Sequence, residues 1–236
     1  TRLRRDWSSD VCSSNLSGHI IFTGLDQFDQ FADIEIHTAG PLSQVIDMLD
    51  GEPLDFAPKF NLRPVAAKGR VSTKLNLKFL VERAMTADTI EVKAASRLQD
   101  ISVSGAAFGF DLTEGNLALR LDNRGMEVDG EASLAGIRTE FHWREKFEKA
   151  DIQTRYRIKA MLEEQDWTEK LGLTIPGAVR EWVQGPIAAE LEISINDRGE
   201  GRLDGRLGLK DAVLNLAKFD WAKAAGTEAS AEFIAA

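Results

Sequence analysis

The stretch that decides the fold begins Gly69-Arg70-Val71-Ser72-Thr73-Lys74-Leu75-Asn76-Leu77-Lys78-Phe79 and continues to Trp143. Apolar and polar residues alternate along it, and the pattern recurs in residues 117–122, 126–134 and 137–144. Side chains on a β-strand point to opposite faces with a period of two. The alternation therefore predicts a series of strands, each with one apolar and one charged side.

Shorter alternating segments extend this pattern over most of the chain. They lie at residues 19–24, 33–38, 90–94, 101–103, 152–158 and 187–195, and after Gly201. Gly-, Pro- and Asn-containing segments mark turns, among them residues 113–116 and 122–125, and Gly40-Pro41 is expected to end a strand. Helical spacing or an initial proline predicts short helices at 42–49, 161–171 and 175–183. We predict a mostly β fold: a long twisted antiparallel sheet curled into an open apolar groove, with a few short helices.

The first 17 residues differ from the rest of the chain. They show neither helical nor strand periodicity, and the segment Asp6-Trp7-Ser8-Ser9-Asp10-Val11-Cys12 resembles a translated sequencing-adapter read-through. We therefore expect residues 1–17 to be a non-native or disordered leader. We expect residues 18–236 to form a single elongated segment from the interior of a longer protein.

An internal similarity suggests that this segment contains two related units. Residues 69–78 and 201–210 both read Gly-Arg-aliphatic-x-x-basic-Leu-x-Leu-Lys or close to it. The similarity predicts two units at about 18–150 and 151–236, as in proteins that lengthen by adding similar β units.

Composition excludes several classes of protein. The net charge of -9 and the pI near 5.0 argue against nucleic acid as a partner, because no basic excess is present to neutralise phosphates. The single cysteine, Cys12, cannot form an internal disulfide. The sequence contains no apolar run of about 18 residues that would predict a membrane-spanning helix.

The sequence contains no recognisable catalytic or metal-binding motif. His19, His37 and His142 lie on separate predicted strands without ligand spacing, and we expect them to be solvated surface residues. The acidic residues Glu163, Glu164 and Asp166 are interpreted as a solvated helix face, with an acid–base role as the alternative. We predict no enzymatic activity, no catalytic residue, no metal, no cofactor and no small-molecule substrate.

Two features have a second interpretation. Arg155, Arg157 and Lys159 are expected to form a solvated sheet face, with contact to anionic lipid headgroups as the alternative. The apolar residues, including several aromatic ones, are expected either to be covered as an ordinary core or to line an open groove. An open apolar face would mark a site for lipid or for a protein partner.

Several segments resemble the AsmA-like superfamily, specifically the YhdP-type proteins of Gram-negative bacteria. The resemblance begins at Gly40-Pro41-Leu42-Ser43 and covers most of residues 18–236. Its further segments are Lys68-Gly69-Arg70, residues 98–102, residues 125–132, Trp143-Arg144-Glu145, residues 171–173, Gly185-Pro186-Ile187, Asp211-Ala212 and residues 221–226. The resemblance implies a twisted periplasmic β-groove, held at the inner membrane by an anchor that this sequence lacks, along which phospholipids move towards the outer membrane.

The leading functional prediction is a segment of a bridge-like lipid transfer protein. Its partners would be phospholipid acyl chains and components of the inner and outer membranes of the Gram-negative cell envelope. The acyl chains are predicted to lie against Val71, Leu75, Leu77, Phe79, Ile90, Val92, Leu117, Leu119, Leu121, Val128, Leu134, Phe141, Trp143, Ile193 and Leu207. The alternative is a non-catalytic envelope scaffold whose apolar face is covered by its own helices.

Overall fold

The computed structural model describes residues 1–11, 14–44, 67–81, 89–107, 109–172 and 182–235. Within these ranges the chain is mostly β, as the alternation predicted. The strands are β1 (Arg2–Val11), β2 (Ser14–Thr23), β3 (Phe31–Pro41), β4 (Ala67–Leu80), β5 (Glu91–Ala107), β6 (Phe110–Asp122), β7 (Gly125–Leu134), β8 (Ile137–Lys146), β9 (Thr154–Leu162), β10 (Val183–Gln184), β11 (Ile187–Ile195), β12 (Gly201–Gly208), β13 (Val213–Leu216), β14 (Trp221–Lys223) and β15 (Ser230–Ala235).

Twelve strands form one large sheet in the order β1 to β9, then β11, β12 and β15. Each pairs antiparallel with the strand beside it. In the part of the chain that is described, β1 and β15 are the two edges, so the sheet is open rather than closed on itself. The predicted antiparallel sheet is therefore confirmed. A second, small sheet contains β10, β13 and β14.

The predicted turn at residues 122–125 joins β6 to β7, but not for the reason that the sequence suggested. Neither Asn123 nor Gly125 has a positive φ. Instead, the Asp122 carboxylate accepts hydrogen bonds from the backbone N–H groups of Arg124 at 2.8 Å and Gly125 at 3.1 Å. A carboxylate that bonds to the backbone two or three residues ahead is a common way to stabilise a turn.

The predicted turn at residues 113–116 is wrong, because these residues continue β6. Glu114 has a φ of 53°, and the pairing with β7 shifts between Thr113 and Asn116. An extra residue inside a strand forms a bulge, which leaves the strand continuous but changes its direction. Gly115 and Asn116 therefore mark a bulge here, although the same residue types also occur in turns.

A second bulge, between β4 and β5, requires a glycine. Gly69 has a φ of 110°, and Asp100 on the opposing strand has a φ of 51°. A Cβ atom on Gly69 would lie 2.7 Å from the Ile101 Cα and 2.8 Å from the Asp100 carbonyl oxygen. Both neighbouring atoms belong to the backbone, so a side chain cannot be accommodated without moving the strands apart.

Residues 2–11 form strand β1, which their lack of periodicity did not predict. β1 pairs with β2 along its whole length. Most of its side chains are exposed, so backbone hydrogen bonds rather than burial define this strand. Trp7 lies over Gly18, where an added Cβ would come within 2.8 Å of the indole ring. An aromatic ring that covers a cross-strand glycine stabilises the edge of a sheet.

The outcome differs among the three predicted helices. Residues 42–44 are helical, whereas 45–49 lie outside the described residues. The helix at 161–171 is wrong, because Met161 and Leu162 end β9 and only a π-helical turn, Asp166–Lys170, follows. Val183 begins β10, and residues 175–181 of the third helix lie outside the described residues. Gly40-Pro41 was predicted to end a strand, and Pro41 is the last residue of β3.

Candidate functional site

Most of the large apolar side chains of the large sheet lie on one face. The pairing aligns Leu119 with Val128, Val128 with Trp143, Trp143 with Tyr156 and Tyr156 with Ile193. Residues that pair directly across an antiparallel sheet point to the same side. We call this side the apolar face; it bears fourteen of the fifteen predicted groove residues, while Ile90 directly precedes β5.

The apolar face is divided into a packed part and a more accessible part. Five predicted residues are buried in a common hydrophobic cluster: Val71, Leu117, Val128, Leu134 and Phe141, all 5–8% exposed. The other ten are half-buried. One part of the face therefore has the character of a folded core, and the remainder keeps contact with its surroundings.

Three aromatic rings lie side by side at the margin of this cluster. Trp143 stacks on Tyr156 with ring centroids 5.6 Å apart, and Tyr156 lies 6.1 Å from Phe141. Such pairs add to the stability that area burial alone supplies. Burial, followed by the charge of Glu145, raises the pKa of Tyr156 to about 12.

Glu145 is a carboxylate that the sequence interpretation did not place on this face. It pairs across the sheet with Met126 and Thr154, so it points to the apolar side. Its Oε2 accepts hydrogen bonds from the Trp143 indole N–H at 3.3 Å and from the Thr154 hydroxyl at 2.7 Å. The sequence signal was its spacing: Glu145 lies two residues after Trp143, and the period-two alternation assigns both residues to the same side of the strand.

A second polar feature lies on the apolar face between β4 and β5. The hydroxyls of Thr73 and Ser96 are 2.8 Å apart. The pairing places Thr38 beside Thr73 and Leu119 beside Ser96. The same cross-strand row of residues therefore carries hydroxyl side chains on β3–β5 and mainly apolar side chains from β6 onward. The face is not uniformly apolar.

The opposite side of the sheet, which we call the charged face, is bound together by cross-strand ion pairs. Glu35 contacts Lys74 at 2.9 Å and the His37 ring at 2.8 Å. These hydrogen bonds, from Lys74 first and then His37, lower the pKa of Glu35 to about 2. Ionised groups at these positions match a solvent-facing surface.

The basic row on β9 belongs to this network. Arg155 and Arg157 contact Glu192 at 3.3 Å and 2.7 Å, and Lys159 contacts Glu190 at 3.4 Å. Each cation therefore already has a carboxylate partner on β11. This arrangement agrees with the solvated sheet face that the sequence predicted, and the lipid-headgroup alternative would require these pairs to open.

Two of the three histidines, and Asp166 of the acidic cluster, have structural partners. His37 contacts Glu35, and His142 contacts Asp129 across β7 and β8. Among the described residues, no group of three or more histidine, cysteine or acidic residues could hold a metal ion.

Asp166 is buried, contrary to the predicted solvated face. Its carboxylate accepts a hydrogen bond from the Glu163 backbone N–H at 2.8 Å and pairs with the Lys170 ammonium at 2.7 Å. Cys12 lies outside the described residues.

Comparison with family models, curated proteins and solved structures finds no match to this chain. In the described part of the chain, no helix is both long and apolar enough to span a membrane.

Proposed function

We propose that this chain is a segment of a bridge-like lipid transfer protein of the AsmA-like, YhdP-type kind. In this proposal it lies in the periplasm of a Gram-negative bacterium, as part of a protein anchored in the inner membrane. It carries phospholipid along the apolar face between the inner and outer membranes. The observation that carries the proposal is that fourteen of the fifteen predicted residues share one face of an open sheet of twelve strands, a face that the Thr73 and Ser96 hydroxyls interrupt.

The dimensions of this face suit an acyl chain. Eleven spacings between twelve strands, each about 4.8 Å, give a width of about 50 Å. One leaflet of a bilayer is about 15 Å thick in its hydrocarbon part. A chain lying across the strands would therefore contact several of them at once, while its headgroup stays in water.

Transfer along such a face needs no covalent step. Removing apolar surface from water contributes roughly 25 cal/mol per Å², which holds a chain against the half-buried residues. Neighbouring positions along a row of similar side chains differ little in energy, so the chain can move. In this proposal the sheet curls around the chain, and the buried cluster forms the closed side of the groove.

One observation favours a second function, a non-catalytic envelope scaffold. Five of the fifteen predicted residues are buried, so part of the face is covered by protein. Leu119 already packs against the buried cluster. If this cover extended over Leu75 and Leu77 in solution, the face would be an ordinary core. The protein would then act through its surface, by assembly with other envelope proteins.

The experiment that separates these functions is native mass spectrometry of the 236-residue chain after expression in a Gram-negative periplasm. The test variant is Leu119→Glu, which places a charge on the apolar face. The matched control is Ala188→Glu, which adds the same charge at an exposed position of the charged face on β11. A charge left without a partner in an apolar site costs several kcal/mol, so bound lipid should be lost in the first variant alone.

We expect phospholipid to be bound to the wild-type chain and to the Ala188→Glu variant, and absent from the Leu119→Glu variant. Circular dichroism should show that both variants retain the β-sheet. A folded wild-type chain free of lipid would contradict the transfer function and support the scaffold. Equal lipid in both variants would exclude the apolar face as the binding surface.

A further inference from the structure

We propose that a depression on the charged face, formed by β2 to β6, binds a phosphate group, either as free phosphate or as part of a larger molecule. The depression has a volume of about 610 Å³, within the usual range for ligand sites. It lies on the side of the sheet opposite the candidate lipid surface, so this proposal does not depend on the proposed function.

The charged side chains in the lining of the depression are all basic. Its lining includes Lys74, Arg97 and Arg120, and no aspartate or glutamate among the described residues. The chain as a whole contains 38 acidic and 29 basic residues. Against that acidic background, a concave surface lined by three basic side chains and no carboxylate favours an anionic ligand.

The sheet register explains how the three cations come together. Ala95 lies at the centre, with Lys74 and Arg120 as its two cross-strand partners and Arg97 two residues further along β5. All four side chains point to the same side, and their short separations follow from strand geometry. Ser72 and Ala118, the cross-strand partners of Arg97, are also small. Small side chains at the centre leave space between the cations for a ligand.

The two arginines retain their hydrogen-bond donors. Lys74 contacts Glu35 at 2.9 Å. In the described ranges, by contrast, neither Arg97 nor Arg120 lies within 4.0 Å of a carboxylate oxygen. Glu127 is the cross-strand partner of Arg120 but pairs with Arg144 instead, at 3.3 Å.

Phosphate is the anion that this arrangement suits best. A guanidinium group presents paired N–H donors that match two phosphate oxygens, and two such groups with an ammonium can bind all the terminal oxygens. Ser17 and Ser72, which also line the depression on this side, add hydroxyl donors. A carboxylate has two oxygens and one negative charge, so it would leave part of this donor set unused.

The test follows the arginine side-chain N–H signals and the backbone amide signals of Ser72 and Ala95 in the ¹⁵N-labelled chain by NMR, during titration with inorganic phosphate at constant ionic strength. The two backbone amides report binding in every variant. The site variant is Arg97→Gln with Arg120→Gln. The control is Lys78→Gln with Arg202→Gln, which removes the same charge from the same face outside the depression. A third variant, Arg97→Lys, keeps the charge and removes the paired donors.

We expect saturable shifts of the Arg97 and Arg120 signals in the wild-type chain. The site variant should bind phosphate at least about tenfold more weakly, whereas the control should stay within about twofold. Arg97→Lys should also weaken binding, because charge alone does not replace the bidentate contact. All three exchanges involve exposed side chains, and an unchanged melting temperature verifies the fold.

The source of the phosphate is distinguished by sedimentation with phosphatidylglycerol-containing vesicles and with phosphatidylcholine vesicles. Binding to the anionic vesicles that the site variant loses would assign the site to lipid headgroups. Saturable binding of inorganic phosphate without vesicle binding would assign it to soluble phosphate. Shifts that never saturate, or equal weakening in the site and control variants, would overturn the proposal.

Discussion

Two single variants, each with one leucine of the apolar face replaced by alanine, test whether that face is divided into core and accessible surface. Leu117 on β6 is 7% exposed and belongs to the buried cluster. Leu77 on β4 is half-buried and lies outside that cluster. The side chains are identical and lie on the same face, so their difference in environment determines the difference in effect.

The expected magnitudes follow from this difference in burial. Removing a buried leucine side chain loses its transfer free energy and leaves a cavity, at a cost of about 3–5 kcal/mol. A half-buried leucine recovers hydration on truncation and leaves no closed cavity, so we expect about 1 kcal/mol. Leu117→Ala should therefore lower the free energy of unfolding by at least about 2 kcal/mol more than Leu77→Ala.

The measurement is urea denaturation of the delipidated chain, followed by circular dichroism, with the slope of the transition checked for each variant. Delipidation matters because a bound ligand adds to apparent stability. Equal losses in the two variants would refute the division of the face. It would then be a core throughout, and the scaffold function would become the better conclusion.

Three further predictions concern single groups. Lys223 is buried, and its ammonium, with three N–H donors, lies 2.8–3.2 Å from four backbone carbonyl oxygens. Lys223→Met should therefore lower the free energy of unfolding by about 2–3 kcal/mol in urea denaturation, while Lys218→Met, at an exposed site, should lower it by less than about 0.5 kcal/mol. Gly69→Ala should lower the free energy of unfolding by at least about 2 kcal/mol, because its φ of 110° is strained for alanine and its neighbours are backbone atoms; an unchanged denaturation midpoint would contradict this bulge geometry. Tyr156, the only tyrosine, should ionise near pH 12 in an ultraviolet titration, since burial and then Glu145 raise its pKa. The pKa of Tyr156 in the folded state exceeds the ordinary value of 10.0. The contribution of the neutral phenol to stability is therefore complete below pH 10 and is lost as the pH rises towards about 12. Ionisation near pH 10 in the folded chain would show that the ring is exposed to water.

The alternation of residue types predicted most of the sheet correctly because it is a local property. Whether Leu75 and Leu77 share a side depends on strand geometry alone, and the structure places both on the apolar face. The same rule predicts a strand wherever alternation is regular, as in β8 and β11. It does not predict β1, whose side chains are mostly exposed and whose position depends on backbone pairing with β2.

Turn and helix signals were less reliable because their residue types serve several structures. Gly115 and Asn116 lie in a bulge rather than a turn, since the strand continues to pair on both sides. Met161 and Leu162 extend β9 because β11 offers them hydrogen-bonding partners. In each case a distant strand determined the local conformation, and no short window of sequence contains that information.

A short window of sequence also does not determine the candidate site. The sequence by itself determined which side chains share a face, because period-two alternation follows from the geometry of every strand. The tertiary structure alone decided that Leu117 is buried while Leu119, two residues along the same strand, is half-buried. It also decided that Lys74, Arg97 and Arg120 surround Ala95. Burial and the meeting of distant charges depend on strand order, register and curvature, which arise from pairing between segments far apart in the chain.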